Sequence, residues 1–214
     1  MLIERDVITK VVGDEVTGVI HIGGHFGEEH NFYEELGVDH VVYFEPHPES
    51  FANLTKQFEK NENVTLLNFA LGDVDGVTKT MFCETANKGQ SNSLLKPVQH
   101  KNLYPGIVFD DGSVEVEQRT LDSVIGEGLL PENVNFNLLN IDVQGYEMHV
   151  FRGAENTLTN FDWIISEFNL AEMYEGCSKL DDMNQFLKEH GFKPNHGVQY
   201  ANAWGDVFYE RIKE

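Results

Sequence analysis

Three glycines in five residues, Gly23, Gly24 and Gly27, enclose His25 and Phe26 and lead straight into Glu28 and Glu29. Glycine lets a ligand approach the backbone, and a turn of this kind at the carboxyl end of a strand is where open α/β sheets bind ligands. A GxGxxG dinucleotide pattern opening at Gly23 would need glycine at positions 25 and 28, which hold His25 and Glu28. Two carboxylates at the following helix start also repel the pyrophosphate that such a site must hold. A nicotinamide dinucleotide is therefore disfavoured, and a cationic or zwitterionic ligand fits. Glu45 ends the next apolar run 22 residues after Gly23, close to the ~20-residue offset at which a carboxylate accepts from ribose hydroxyls.

A second group lies further along. Asp142 closes an apolar run, and Glu167 and Asn169 follow another. A carboxylate at such a place has no core role and is placed for proton transfer. The three oxygen donors would also suit Mg²⁺, although carboxylates at strand ends more often hold ligand hydroxyls or helix ends. His25, on the ligand turn itself, is the other acid–base candidate, whereas His21, inside an apolar run, reads as a hydrogen-bonded core residue. His47 reads as a surface residue beside Glu45. Tyr146 and Glu147, after Asp142, admit a site role or the plainer one of a core aromatic and a helix-dipole carboxylate.

These residues need a sheet to bring them together. Short runs rich in β-branched and aromatic residues read as strands at 18–23, 40–45, 64–69, 136–142 and 162–167, and helical spacing between them gives the βαβ signature of a mostly parallel sheet covered on both faces. Pro48 and Glu49 open a helix whose face is Phe51, Leu54 and Phe58. Tyr146, Val150, Phe151, Ala154 and Leu158 keep helical spacing, with Gly153 expected to split the segment. Ser178 and Asp181 resemble a capping box before Leu180, Met183, Phe186 and Leu187, and Gly191 suits the helix end. Segments 192–198 and 206–212 suggest a closing antiparallel hairpin, giving six or seven strands in one sheet. Segments 77–83 and 113–119 alternate like half-exposed strands.

Composition narrows the partners. Of 214 residues, 15 are Lys or Arg and 36 Asp or Glu, a net charge of −21 that repels phosphate backbones and anionic lipid surfaces. Neither nucleic acid nor a membrane is an expected partner. Cys83 and Cys177 form no CxxC, so no disulfide framework or structural zinc site is encoded. The opening MLIERDVITK is charged where a secretory leader would be apolar, and the expectation is a cytoplasmic protein of one domain, residues 1–214.

The segments VIHIGGHFGEE, VVYFEPHPESFANL, NFALGDVDG, SNSLL, VEQRTLDSV and LLNIDVQGYEMHVFRGAENTL, in this order, resemble the FkbM-type family of S-adenosylmethionine-dependent methyltransferases, especially its branch with IHIGAHxGEE. The resemblance runs from residue 18 to 212. It implies the class I methyltransferase fold, Rossmann-like with a C-terminal antiparallel hairpin, and methylation of a hydroxyl on a saccharide or other small metabolite. It further implies that Gly23, Gly24 and Gly27 lie against the methionine part of the cofactor, that Glu45, followed by Pro46, holds the ribose hydroxyls, that Ala70, Leu71 and Asp73 flank the adenine, and that Asp142 and Gln144 line the place of transfer. His21 stands where the broader family has Asp, and NIDVQG stands for KIDVEG. Glu28 or Glu29 could replace the missing charge toward the ligand's amino group. Gln144 cannot act as a base, which leaves Asp142 on this strand end. These departures keep a second reading open, a binding module that retains the fold without catalysis.

Residues 84–112 show no periodicity, and a loop of that length inside a compact domain suits a lid. It is expected to be mobile without ligand and to close through Gln90, Ser91, Asn92, Ser93 and Leu94, adding Ser91, Asn92 and Ser93 to the cofactor's surroundings. From Thr85 to Phe109 it has no acid but carries Lys88, Lys96, Lys101 and His100, which would attract an anionic group unless they are simply solvated.

Overall fold

The apolar runs become strands where their β-branched and aromatic residues favour extended backbone. In the computed structural model, which describes residues 1–214 except 110, 111, 201, 202 and 214, α1 (Arg5–Val12) precedes β1 (Gly18–Ile22), α2 (His30–Glu35), β2 (His40–Phe44), α3 (Pro48–Phe58), β3 (Val64–Leu67) and the short β4 (Ala70–Leu71). Then come β5 (Val77–Phe82), α4 (His100–Leu103), β6 (Ser113–Arg119) and α5 (Leu121–Gly126). The chain ends with β7 (Leu138–Ile141), α6 (Glu147–Arg152), a 3₁₀ turn (Thr157–Asn160), β8 (Trp163–Asn169), α7 (Leu180–Glu189), β9 (Phe192–Tyr200) and β10 (Trp204–Arg211). Among the described residues no helix is long and apolar enough to cross a membrane.

Seven strands form one sheet in the order β3-β2-β1-β7-β8-β10-β9. Strands β3, β2, β1, β7 and β8 run parallel, and β10 inserts antiparallel between β8 and β9. Every residue of β1, β2, β7 and β8 is buried, as expected of strands covered on both faces. One face packs Ile20, Ile22, Val42 and Ile141 with Phe151 and Leu187. The other packs Val19, Val41 and Tyr43 with Ile8, Phe32 and Leu54. The strand order reverses between β1 and β7, so their carboxyl ends flank the crevice where such sheets bind ligands.

Segments 77–83 and 113–119 pair as antiparallel β5 and β6, and β4 joins β6 in parallel to make a separate three-stranded sheet. The loop 84–112 therefore leaves and rejoins one hairpin. Gly153 is the C-cap of α6, and only glycine fits there because a Cβ would lie 1.8 Å from the carbonyl oxygen of Gly72. The expected capping box at Ser178 does not form: Lys179 is the N-cap, with no side-chain cap. The Ser178 hydroxyl instead accepts from the Met148 amide at 2.8 Å and donates to the Gly145 carbonyl at 2.9 Å, tying the start of α7 to the segment after β7.

Candidate active site

A cavity of ≈ 450 Å³ opens over the carboxyl ends of the parallel strands, walled by the turn after β1, the ends of β2, β4, β7 and β8, the start of β10 and the loop 84–112. That size suits a cofactor-sized ligand. Gly23 lines it with φ 85°, and a Cβ there would fall 1.8 Å from the carbonyl oxygen of Asp142, so no side chain fits between β1 and β7. Gly24 and Gly27 do not line the cavity. A Cβ on Gly24 would meet the Tyr43 ring at 2.7 Å, and one on Gly27 the Phe58 ring at 2.8 Å. Both glycines make room for core aromatics.

His25 lines the cavity with its backbone at φ 44°. Its Nδ1 lies 2.6 Å from Glu28 Oε1 and its Nε2 2.8 Å from the Lys88 carbonyl. Both partners are acceptors, and a neutral imidazole has only one N–H, so the ring satisfies them as imidazolium. Burial opposes that charge, but the bonds to Glu28 and the Lys88 carbonyl outweigh it and raise the pKa. Glu28 responds in kind: against the burial that would raise it, the His25 bond holds its carboxyl down to about 2. In this arrangement the ring has no free lone pair with which to act as a base, although as an imidazolium it still carries a proton. It clasps the glycine turn to the loop.

Glu45 is buried on the cavity wall. Its Oε2 accepts from the His25 amide at 2.8 Å and its Oε1 from the His47 amide at 2.8 Å. Burial still pushes its pKa up to about 7. Each oxygen keeps a lone pair for a hydroxyl. Pro46, Phe44, Phe69, Ala70 and Leu71 form the adjoining, largely apolar wall. Asp73 does not line the cavity and meets His149 Nδ1 at 2.8 Å. His47 caps α3, accepting from the Ser50 amide. His21 is buried with Nδ1 accepting from the Tyr33 hydroxyl at 3.0 Å, and burial lowers its pKa.

Across the cavity Gln144, at φ 53°, donates through Nε2 to Asp142 Oδ1 at 2.8 Å and to Glu167 Oε2 at 3.1 Å. Asp142, Glu167 and Asn169 all face the cavity. No group of three or more His, Cys, Asp or Glu among the described residues is placed to hold a metal, and the two carboxylates are joined by an amide. Enclosure raises the pKa of Asp142, and raises that of Glu167 well above the usual range, with the neighbouring Asp142 charge adding to it. Beneath them Glu147 is fully buried. Its Oε1 accepts from the Gly145 amide at 2.9 Å, and its Oε2 has no partner. Desolvation pushes its pKa up to about 7.

The loop 84–112 already lies over the cavity. Ser91 and Asn92 line it, whereas Ser93 does not: its hydroxyl donates to the Gln144 carbonyl at 2.7 Å. Tyr174 Oη lies 3.0 Å from both the Ser91 carbonyl and Gln144 Oε1, and donates to one at a time. Neither Lys88 nor Lys96 lines the cavity, so the expected attraction of an anion does not arise from these two. The side chain of Lys101 falls outside the described residues. Asp206, Tyr104, Tyr174, Tyr200 and Trp204 line the cavity without having been expected there. They come from β9, β10, the segment after β8 and the loop, and no spacing in the sequence links them to the glycine turn.

A family model described as the methyltransferase FkbM domain matches residues 21–194. The 2-O-methyltransferase NoeI of Sinorhizobium fredii is 28% identical over 165 residues, covering 74% of this chain and 65% of its own length. The hexuronic acid methyltransferase AglP of Haloferax volcanii is 24% identical over 141 residues, covering 65% of this chain and 52% of its own. The chain thus spans roughly half to two thirds of the length of these relatives. Among solved structures, TrmK of M. capricolum in complex with S-adenosyl-homocysteine superposes with a TM-score of 0.54 at 8% identity, covering 100% of this chain and 70% of that one. A SAM dependent methyltransferase from Aquifex aeolicus gives 0.52 at 10% identity, covering 99% and 91%.

Proposed function

Because the chain belongs to the FkbM methyltransferase family and has the class I methyltransferase fold, we propose that it transfers the methyl group of S-adenosylmethionine to a hydroxyl of a saccharide or other small metabolite. The observation that carries this reading is one cavity holding both Glu45, with its oxygens fixed by backbone amides, and the Asp142–Gln144–Glu167 group. The residues suit the cofactor. Gly23 leaves its backbone bare, Glu45 offers lone pairs to two ribose hydroxyls, and Phe44, Phe69, Ala70 and Leu71 offer an apolar face to adenine. Carboxylates along the wall suit a ligand carrying an ammonium and a sulfonium. The same acids, in a chain of net charge −21, disfavour a nucleic-acid acceptor.

When bound, the cofactor supplies an electrophilic methyl group on sulfur. The protein has to hold the acceptor oxygen in line, keep water out and take up a proton. Asp142, with a raised pKa and surface open to the cavity, is the proton acceptor in this reading. Gln144 positions it and Glu167 through one amide. The test is transfer of labelled methyl from S-adenosylmethionine into a pool of mono- and oligosaccharides, beside calorimetry with S-adenosylhomocysteine. Binding and transfer are expected. Tight binding with no transfer to any acceptor would make the chain a binding module instead.

A further inference from the structure

The transfer reading leaves open which acceptor the cavity takes, and the inference here rests on that reading. Two buried polar atoms on the cavity wall have no partner, His100 Nδ1 and Asn169 Nδ2. Their residues are 4% and 1% exposed, so water does not generally serve them from outside. An unpaired buried polar atom is costly, and both of these belong to residues that line the cavity. Asn169 ends β8 and pairs in register with Trp204 at the start of β10. Trp204 donates through Nε1 to the Tyr104 hydroxyl at 3.2 Å, and the Tyr104 ring lies 5.5 Å from that of His100, centre to centre. Tyr200 stands 5.3 Å from Trp204, ring centre to ring centre, and is 49% exposed, so it marks the mouth of this end.

We propose that His100, Tyr104, Asn169 and Trp204 form the acceptor subsite, and that it takes a neutral or amino-bearing sugar ring in preference to a uronic acid or a sugar phosphate. Aromatic faces beside a few convergent polar atoms match a ring that is apolar on its C–H faces and polar at its edge. The sign of the charge decides the class. No Lys or Arg among the described residues lines the cavity, and the cations that do, the Met1 ammonium and the His25 ring, are paired with Glu29 and Glu28, while Asp142, Glu167 and Asp206 face the same space. A carboxylate or phosphate on the acceptor would meet these acids with both lining cations already paired, whereas an ammonium would be attracted. His100 does not supply the missing charge, since its burial lowers its pKa and keeps it neutral.

The test uses methyl glycosides of neutral, 2-amino and uronic sugars in the gluco, galacto and manno series. They are titrated by saturation-transfer NMR into the intact protein, with and without S-adenosylhomocysteine. At least one neutral or amino glycoside is expected to bind, with its uronic counterpart at least about tenfold weaker. Trp204→Leu and Asn169→Leu should each weaken the sugar by about fivefold or more and leave S-adenosylhomocysteine affinity within about twofold. A uronic glycoside binding as tightly as its neutral counterpart would overturn the proposal. So would silence across the whole panel, or sugar binding unchanged in both variants. Failure of S-adenosylhomocysteine to bind would instead count against the transfer reading alone, because the titrations without it still report on this wall.

Discussion

The two halves of the cavity are built by different means. On the β1–β2 side the backbone holds the carboxylates: amides of His25 and His47 on Glu45, and that of Phe26 on Glu28. On the β7–β8 side, side chains hold side chains, with Gln144 joining Asp142, Glu167 and Tyr174. Among the described residues, the buried side-chain atoms without a partner are His100 Nδ1, Asn169 Nδ2 and Glu147 Oε2, all on or beneath this second half. The first half leaves no buried side-chain atom unbonded among the described residues, whereas the second does. A site that binds one constant cofactor and one distinctive acceptor has reason to divide its construction in this way.

The largest expected effect lies in the second half. Asp142→Asn should lower transfer by about 10²- to 10⁴-fold, the usual worth of a positioned acid–base group. S-adenosylhomocysteine affinity should change by no more than a few fold, since Glu45 and the glycine turn are untouched. Single-turnover assays beside calorimetry read both quantities. Retained turnover would show that Glu167 or another group takes the proton, and parallel loss of cofactor binding would dissolve the distinction between the halves.

The same division explains what the sequence could reveal. Glu45 was legible because it stands 22 residues from Gly23, within one βαβ unit whose geometry is local. Asp142, Glu167 and Asn169 were legible as strand ends. Trp204 and Asp206 were not, because they reach the cavity only through the insertion of β10 between β8 and β9, a pairing that no periodicity announces. His100 and Tyr104 lie in the aperiodic loop. Gly24 and Gly27 were ambiguous for a physical reason: a glycine facing Tyr43 or Phe58 and one facing a ligand lack a Cβ alike. The three-stranded sheet was hidden because its member β4 has only two residues.

Glu45→Ala probes the finished half. Loss of a buried, charged hydrogen-bond partner should cost about 1.5–3 kcal/mol, or roughly ten- to a hundredfold in cofactor affinity. Calorimetry with S-adenosylhomocysteine gives the number. Affinity equal to wild type would mean that the ribose is held elsewhere.

Hydrogen exchange tests the loop that covers both halves. It is tied to the finished half by His25 on the Lys88 carbonyl and to the other by Ser93 on the Gln144 carbonyl. With saturating S-adenosylhomocysteine, exchange in residues 87–95 should slow by about three- to tenfold, while α7, which lies away from the cavity, should hardly change. Equal exchange in the two states would make the loop a fixed wall and not a lid.

The smallest effect concerns Glu147, under the second half. Its folded pKa of about 7 stands above the ordinary glutamate value of 4.5. A raised carboxyl contributes stability below its unfolded pKa and loses it as pH rises through the folded one, so the loss falls between about 4.5 and 7. Glu147→Gln keeps an oxygen for the Gly145 amide and places an uncharged group at the position of the unpartnered Oε2. The variant should melt no higher than wild type at pH ~5 and higher at pH ~8, by roughly 2–4 °C for each kcal/mol recovered. Some slope with pH should remain in the variant, because Asp142 and Glu167 are raised as well. If Glu147→Gln instead melts lower at the higher pH, the carboxylate is serving a bonded partner. The second half would then be as finished as the first.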